Sequence, residues 1–117
     1  MVPVKYQLPV CWQGKTYEKP LIFRDRFGQE INLGGYSARM QVRASVDAVN
    51  FLVNLTTENG GIVIDAPQGE VLLFISASDT AGLIPGSFKY DLELVSASGR
   101  VYCPIYGSFK VKPEVTR

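Results

Sequence analysis

The chain has 117 residues, with 12 Lys+Arg against 11 Asp+Glu, no histidine and two cysteines. That length fits one domain able to bury about two-thirds of its unfolded surface, enough for a core without cross-links. A formal net charge of +1 gives no electrostatic footprint for nucleic acid or an anionic membrane, and without histidine the chain lacks the commonest general base and metal ligand. A hydrophobic share of 46% argues against disorder. The longest wholly apolar run, Val71 to Ile75, is far short of the ~20 residues that span a bilayer, and Lys5 and Gln7 break the N-terminal apolar stretch, so no signal-peptide core is expected. Two cysteines are too few for a disulfide framework. Cys11 and Cys103 read as small buried core residues, or as a pair if their strands are neighbours.

Period two dominates from the start. Val4, Tyr6, Leu8, Val10 and Trp12 fall on alternate positions, which a strand with one buried face produces. Pro9, on the opposite parity, signals an edge strand or a bulge. After the turn Gln13-Gly14-Lys15, a strand over 16–24 is expected to break at Pro20, and 25–30 is a polar loop. Ile31-Asn32-Leu33 leads to the turn Gly34-Gly35. Tyr36, Ala38, Met40 and Val42 then alternate with Ser37, Arg39, Gln41 and Arg43, the cleanest strand pattern in the chain. Residues 44–50 could hold one helical turn. Phe51, Val53 and Leu55 define another strand, Glu58-Asn59-Gly60-Gly61 a hairpin turn, and Ile62 to Asp65 the returning partner. A turn over 66–70 leads to the strand Val71 to Ser76. Residues Ser78 to Leu83 begin with good helix caps and end within two turns at Pro85-Gly86. Phe88, Tyr90, Leu92 and Leu94 alternate with Lys89, Asp91 and Glu93. After the turn 96–100, runs over 101–106 and 108–112 close the chain, with a bend expected at Gly107.

About eight short strands with one short helical connection predict an antiparallel sandwich or barrel, and the lack of a repeated βα unit argues against a parallel sheet. Residues 1–112 form the single expected domain and 113–117 an extended C-terminal tail. Chemistry is sparse. A serine triad lacks its base, the cysteines lack a cationic neighbour, no phosphate-cradling glycine motif occurs, and zinc clusters need more Cys and His than are present. No catalytic, cofactor-binding or metal-binding residue is assigned, and no cofactor is expected. Asp91 and Glu93 share a strand face whose simplest use is solvation. Arg39 and Arg43 lie on a similar polar face, suited to cross-strand ion pairs with them. Asn54-Leu55-Thr56 matches a glycosylation sequon, a weak signal without a secretion leader. Of six Tyr, six Phe and one Trp, most read as core, with Trp12, Tyr17, Tyr102 and Tyr106 less clearly inward.

Several segments carry a resemblance. Phe23-Arg24-Asp25 with Gly28, then Ile31 through Arg43, then Leu55 to Ile62, Ile75 to Ala81 and Pro85 to Leu94, with the ending Gly107 to Val111 and Pro113 to Arg117, resemble small tailed-bacteriophage virion proteins. They are also similar to the N-terminal module of phage baseplate upper proteins. The resemblance covers about residues 16–117, and its motifs are structural. It implies an all-β, antiparallel immunoglobulin-like β-sandwich and a non-enzymatic structural role near the tail, baseplate or fibre attachment. The implied location is the virion, made in the host cytoplasm. Expected partners are other virion proteins and further copies of the chain, with no nucleic acid and no membrane. A capsid decoration protein and a host-glycan-binding module are the alternatives, the latter through Trp12, Tyr102 or Tyr106.

Overall fold

Alternating apolar residues become strands where one face can be covered, and the computed structural model, which describes residues 1–116, shows where that cover comes from. The strands are β1 (Val4–Lys5), β2 (Cys11–Trp12), β3 (Tyr17–Ile22), β4 (Ser37–Arg43), β5 (Val53–Thr56), β6 (Ile62–Asp65), β7 (Glu70–Ile75), β8 (Gly86–Val95) and β9 (Val101–Lys112). One helical turn, α1 (Ala77–Ala81), follows β7, with the Ser76 side chain accepting from the Asp79 N–H as its cap. One sheet runs β1-β9-β8-β4-β5, with β2 also on β9, and the other runs β3-β7-β6. The molecule is an immunoglobulin-like β-sandwich. Met40, Val42, Leu92, Leu94 and Phe109 from the larger sheet meet Tyr17, Ile62, Val71, Leu73 and Ile75 from the smaller, all buried. The Tyr17 and Phe109 rings meet edge-on across the layers at 5.5 Å.

Several local expectations are corrected. Pro20 does not interrupt β3, which pairs continuously with β7 from Tyr17↔Ile75 to Ile22↔Glu70. As an edge strand, β3 needs no inward N–H at that residue. Residues 44–50 form turns without a helix. The turn after β5 does not make a hairpin: β5 pairs with β4 while β6 pairs with β7, so the chain crosses from one sheet to the other. The Asn59 side chain closes that crossing, accepting from the Thr56 and Gly61 N–H groups and donating to the Asn54 carbonyl. Two sheets competing for Ile62, which is 1% exposed, decide this, and local turn chemistry cannot.

The N-terminal segment departs most from expectation. Both β1 and β2 run parallel to β9, through Val4↔Ile105 and Cys11↔Val111. The register slips by one residue between them, so the buried positions are Leu8 and Cys11 and Trp12 turns outward. Where the slip breaks the ladder, two buried tyrosines complete it. The Tyr90 hydroxyl donates to the Tyr6 carbonyl, and the Tyr17 hydroxyl donates to the Pro9 carbonyl at 3.1 Å. Burial, the largest cause, pushes both phenols well above the ordinary tyrosine range. Gly107 opposes Tyr90 and lets the Tyr6 backbone pass: a Cβ there would lie 2.5 Å from the Tyr6 oxygen. It therefore serves close approach, and β9 runs through it without a break.

At the other end, β9 stops at Lys112, and residues 113–116 lie against the turn at 13–15. There Lys15 pairs with Glu114 at 3.5 Å and donates to the Thr116 carbonyl. Arg117, the last residue of the expected tail, lies outside the described residues.

Candidate functional site

The outward face of the larger sheet collects the charged residues that the sequence places on polar parities. Register fixes the rows. Thr56, Arg39 and Glu93 form one, Asn54, Gln41, Asp91 and Tyr106 the next, and Arg43, Lys89 and Ser108 a third. With the 44–50 loop as one wall, the β5, β4 and β8 members of these rows line an open groove of about 600 Å3 that Ser45 and Val46 also border.

Hydrogen bonds fix the floor. Arg43 donates to the Ala48 and Val49 carbonyls at 2.9 and 2.7 Å, holding the wall loop in place. Its other terminal nitrogen donates to Gln41 Oε1 at 2.6 Å, and Gln41 Nε2 donates to Asn54 Oδ1 at 3.3 Å. Arg39 Nε pairs with Glu93 Oε1 at 2.6 Å, the cross-strand ion pair its spacing predicts. The expected partnership of Arg43 with a carboxylate does not form; that guanidinium is spent on the loop. Half-exposed as it is, the Arg39–Glu93 pair contributes about 0–1 kcal/mol, so its main effect is to orient both side chains.

Two groups on the floor remain uncommitted. Lys89 and Asp91 point out from the same face of β8, two residues and so about 6.7 Å apart. Neither makes a side-chain hydrogen bond or ion pair among the described residues. Partial burial, then the Glu93 charge, raises the Asp91 pKa above the ordinary carboxylate range, while Arg43 and Arg39 pull against that rise. The sequence reading of Asp91 as a solvated position sharing its face with Glu93 gives its exposure correctly, but misses the partial burial that, with Glu93, disfavours its charge.

The cysteines do not pair. Cys11 sits opposite Val111, and Cys103 lies eight residues further up β9, some 26 Å away along the strand. Burial pushes the Cys11 thiol up to about 11. Burial, then Asp91 and Glu93, raises that of Cys103 as well. Among the described residues, no group of three or more Cys, Asp or Glu side chains gathers that could hold a metal ion, and no helix is long and apolar enough to cross a membrane. Of the aromatics left open by the sequence, Tyr17 is core, Tyr102 is half-buried, and Trp12 and Tyr106 are exposed, 47% and 42%. Lys112 stands over the Trp12 ring at 5.7 Å.

No family model matches the chain, and no curated protein does. Among solved structures, the crystal structure of CopC from Methylosinus trichosporium OB3b is similar over 92% of this chain and 88% of that one, at 16% identity and a TM-score of 0.47. The expected role as a phage virion structural protein is corrected here: no family model and no curated protein carries it to this chain. The capsid-decoration alternative, also a phage role, is corrected with it. A likeness at this level brings no activity to the chain.

Proposed function

We propose that this protein is a binding module without catalysis, and that its groove receives an extended polypeptide segment bearing opposite charges two residues apart. The observation that carries this is the uncommitted Lys89–Asp91 pair on the groove floor. An extended ligand strand repeats its side-chain direction every two residues, at the same ~6.7 Å that separates the two floor charges. A ligand carboxylate meets Lys89 and a ligand ammonium or guanidinium meets Asp91. Holding Asp91 where burial and Glu93 oppose its ionisation supports the reading, since a cationic ligand relieves that opposition. The Arg43-braced loop supplies a preformed wall, which lowers the ordering cost of binding.

The test is an NMR titration of the protein with a ten-residue peptide carrying Glu and Lys two positions apart, beside a control in which Gln and Ser replace the charges. Backbone shifts in Gln41, Lys89 and Asp91 with the charged peptide alone, weakened by salt and abolished in Lys89→Ala/Asp91→Ala, are expected. Equal shifts with both peptides, or none with either, refute the proposal.

A further inference from the structure

The outward face of the smaller sheet carries a second, chemically different surface. Register places Pro20, Leu72 and Val63 side by side across all three strands of this sheet, a stripe about 10 Å wide. Ile22 and Phe74 flank it on the same face, at 50% and 37% exposure, and Val63 is 55% exposed. None of these five packs into the core, although each lies in a strand whose alternate residues do. Soluble domains seldom leave such a contiguous apolar face uncovered without using it.

Its rim has one sign. Glu18 stands opposite Phe74, Glu70 opposite Ile22, and Asp65 opposite Glu70. No cation pairs with any of the three among the described residues: Lys19, next to Glu18 in the chain, lies on the opposite parity of β3, and Arg24 is engaged by Glu30 at 3.2 Å. This pattern selects the occupant. A second copy docking by the same face matches the apolar stripe but sets three carboxylates against three, a like-charge juxtaposition that disfavours the pair. A second copy docking by its groove face offers cations but a polar floor, which leaves the stripe without an apolar partner. We infer that the outer face of the three-stranded sheet docks a protein partner whose contact surface is apolar and rimmed by lysine or arginine.

This surface is on the opposite side of the sandwich from the groove and does not depend on it. The probe is a ten-residue peptide alternating Lys with Val and Phe, compared with its Lys→Glu counterpart, titrated into the full chain and followed by amide shifts. Binding of the basic peptide, mapped to Ile22, Val63, Leu72 and Phe74 and weakened several-fold between low and physiological salt, is expected. Phe74→Ser weakens it by about tenfold or more, Glu70→Lys/Asp65→Lys removes it while leaving the unfolding midpoint near that of the parent, and Asp91→Asn leaves it unchanged. Light scattering gives a monomer at neutral pH. Equal binding of the two peptides, no binding of either, or a dimer that Val63→Lys dissolves (a second copy as the occupant) each overturns the inference.

Discussion

Replacing Gly107 by alanine tests how the N-terminal segment is held. The added Cβ would meet the Tyr6 carbonyl oxygen at 2.5 Å and the Tyr6 carbonyl carbon at 3.1 Å. Ordinary contact requires the Tyr6 backbone to retreat by roughly 1 Å, beyond what close packing absorbs. That motion breaks the Tyr90 hydroxyl bond to Tyr6 and stretches the Tyr6 N–H bond to the Tyr106 carbonyl, which is 2.8 Å long. Each bond contributes about 1 kcal/mol, and the Tyr90 hydroxyl, on a residue only 5% exposed, then costs a further ~1–2 kcal/mol if left unsatisfied. The expected loss is about 3–4 kcal/mol, read from urea unfolding followed by far-ultraviolet circular dichroism and Trp12 fluorescence. Tyr90→Phe alone removes the hydroxyl bond and costs about 1 kcal/mol. Because both changes act on one bond and Tyr90→Phe leaves no hydroxyl to be orphaned, the double variant should lose about 2–3 kcal/mol less than the sum. A Gly107→Ala protein within about 0.5 kcal/mol of the parent, or strict additivity with Tyr90→Phe, would refute the reasoning.

Three further outcomes follow from the same structure. Asp91→Asn should stabilise the fold by roughly a few tenths of a kcal/mol at neutral pH, because the folded state holds the Asp91 proton more tightly than the unfolded chain and loses stability as pH rises through that window; the advantage should vanish in acid, where both forms are neutral, and pH-dependent urea midpoints check it. Under oxidising but non-denaturing conditions the monomer should keep two free thiols, with Cys103 modified by an aromatic disulfide reagent faster than the fully buried Cys11, as timed mass spectrometry would show. Thr80→Val should cost about 1–2 kcal/mol in thermal unfolding, since the fully buried Thr80 hydroxyl donates to the Lys15 carbonyl at 2.8 Å and ties α1 to the first turn; an unchanged melting temperature would show that this bond holds nothing.

The alternation in 36–43 and 88–95 is enough to place β4 and β8, because a sheet with one buried face must write its period into the sequence. From that same alternation the Arg39–Glu93 pair was legible, and so was the solvent-facing parity of Asp91. Cys11 was legible as a buried residue from its chemistry, but the outward turn of Trp12 was not, because alternation groups Trp12 with Tyr6 and Leu8 and the one-residue slip near Pro9 that reverses this exists only against β9. The virion role expected from the resemblance rested on structural motifs, and motifs that build a sandwich carry no information about what the sandwich binds.

By itself, then, the sequence determined an all-β domain of short strands, which residues alternate, and that histidine chemistry is absent. Tertiary structure decided which strands are neighbours. It sent β5 and β6 to different sheets, separated the two cysteines, and used the missing Cβ of Gly107 to admit a second backbone. It also set Lys89 and Asp91 on a groove floor and aligned Pro20, Leu72 and Val63 into one stripe. The physical reason is the same in each case. Side-chain direction is a local property of the strand, whereas the identity of the residue alongside is fixed only when distant strands compete for one core.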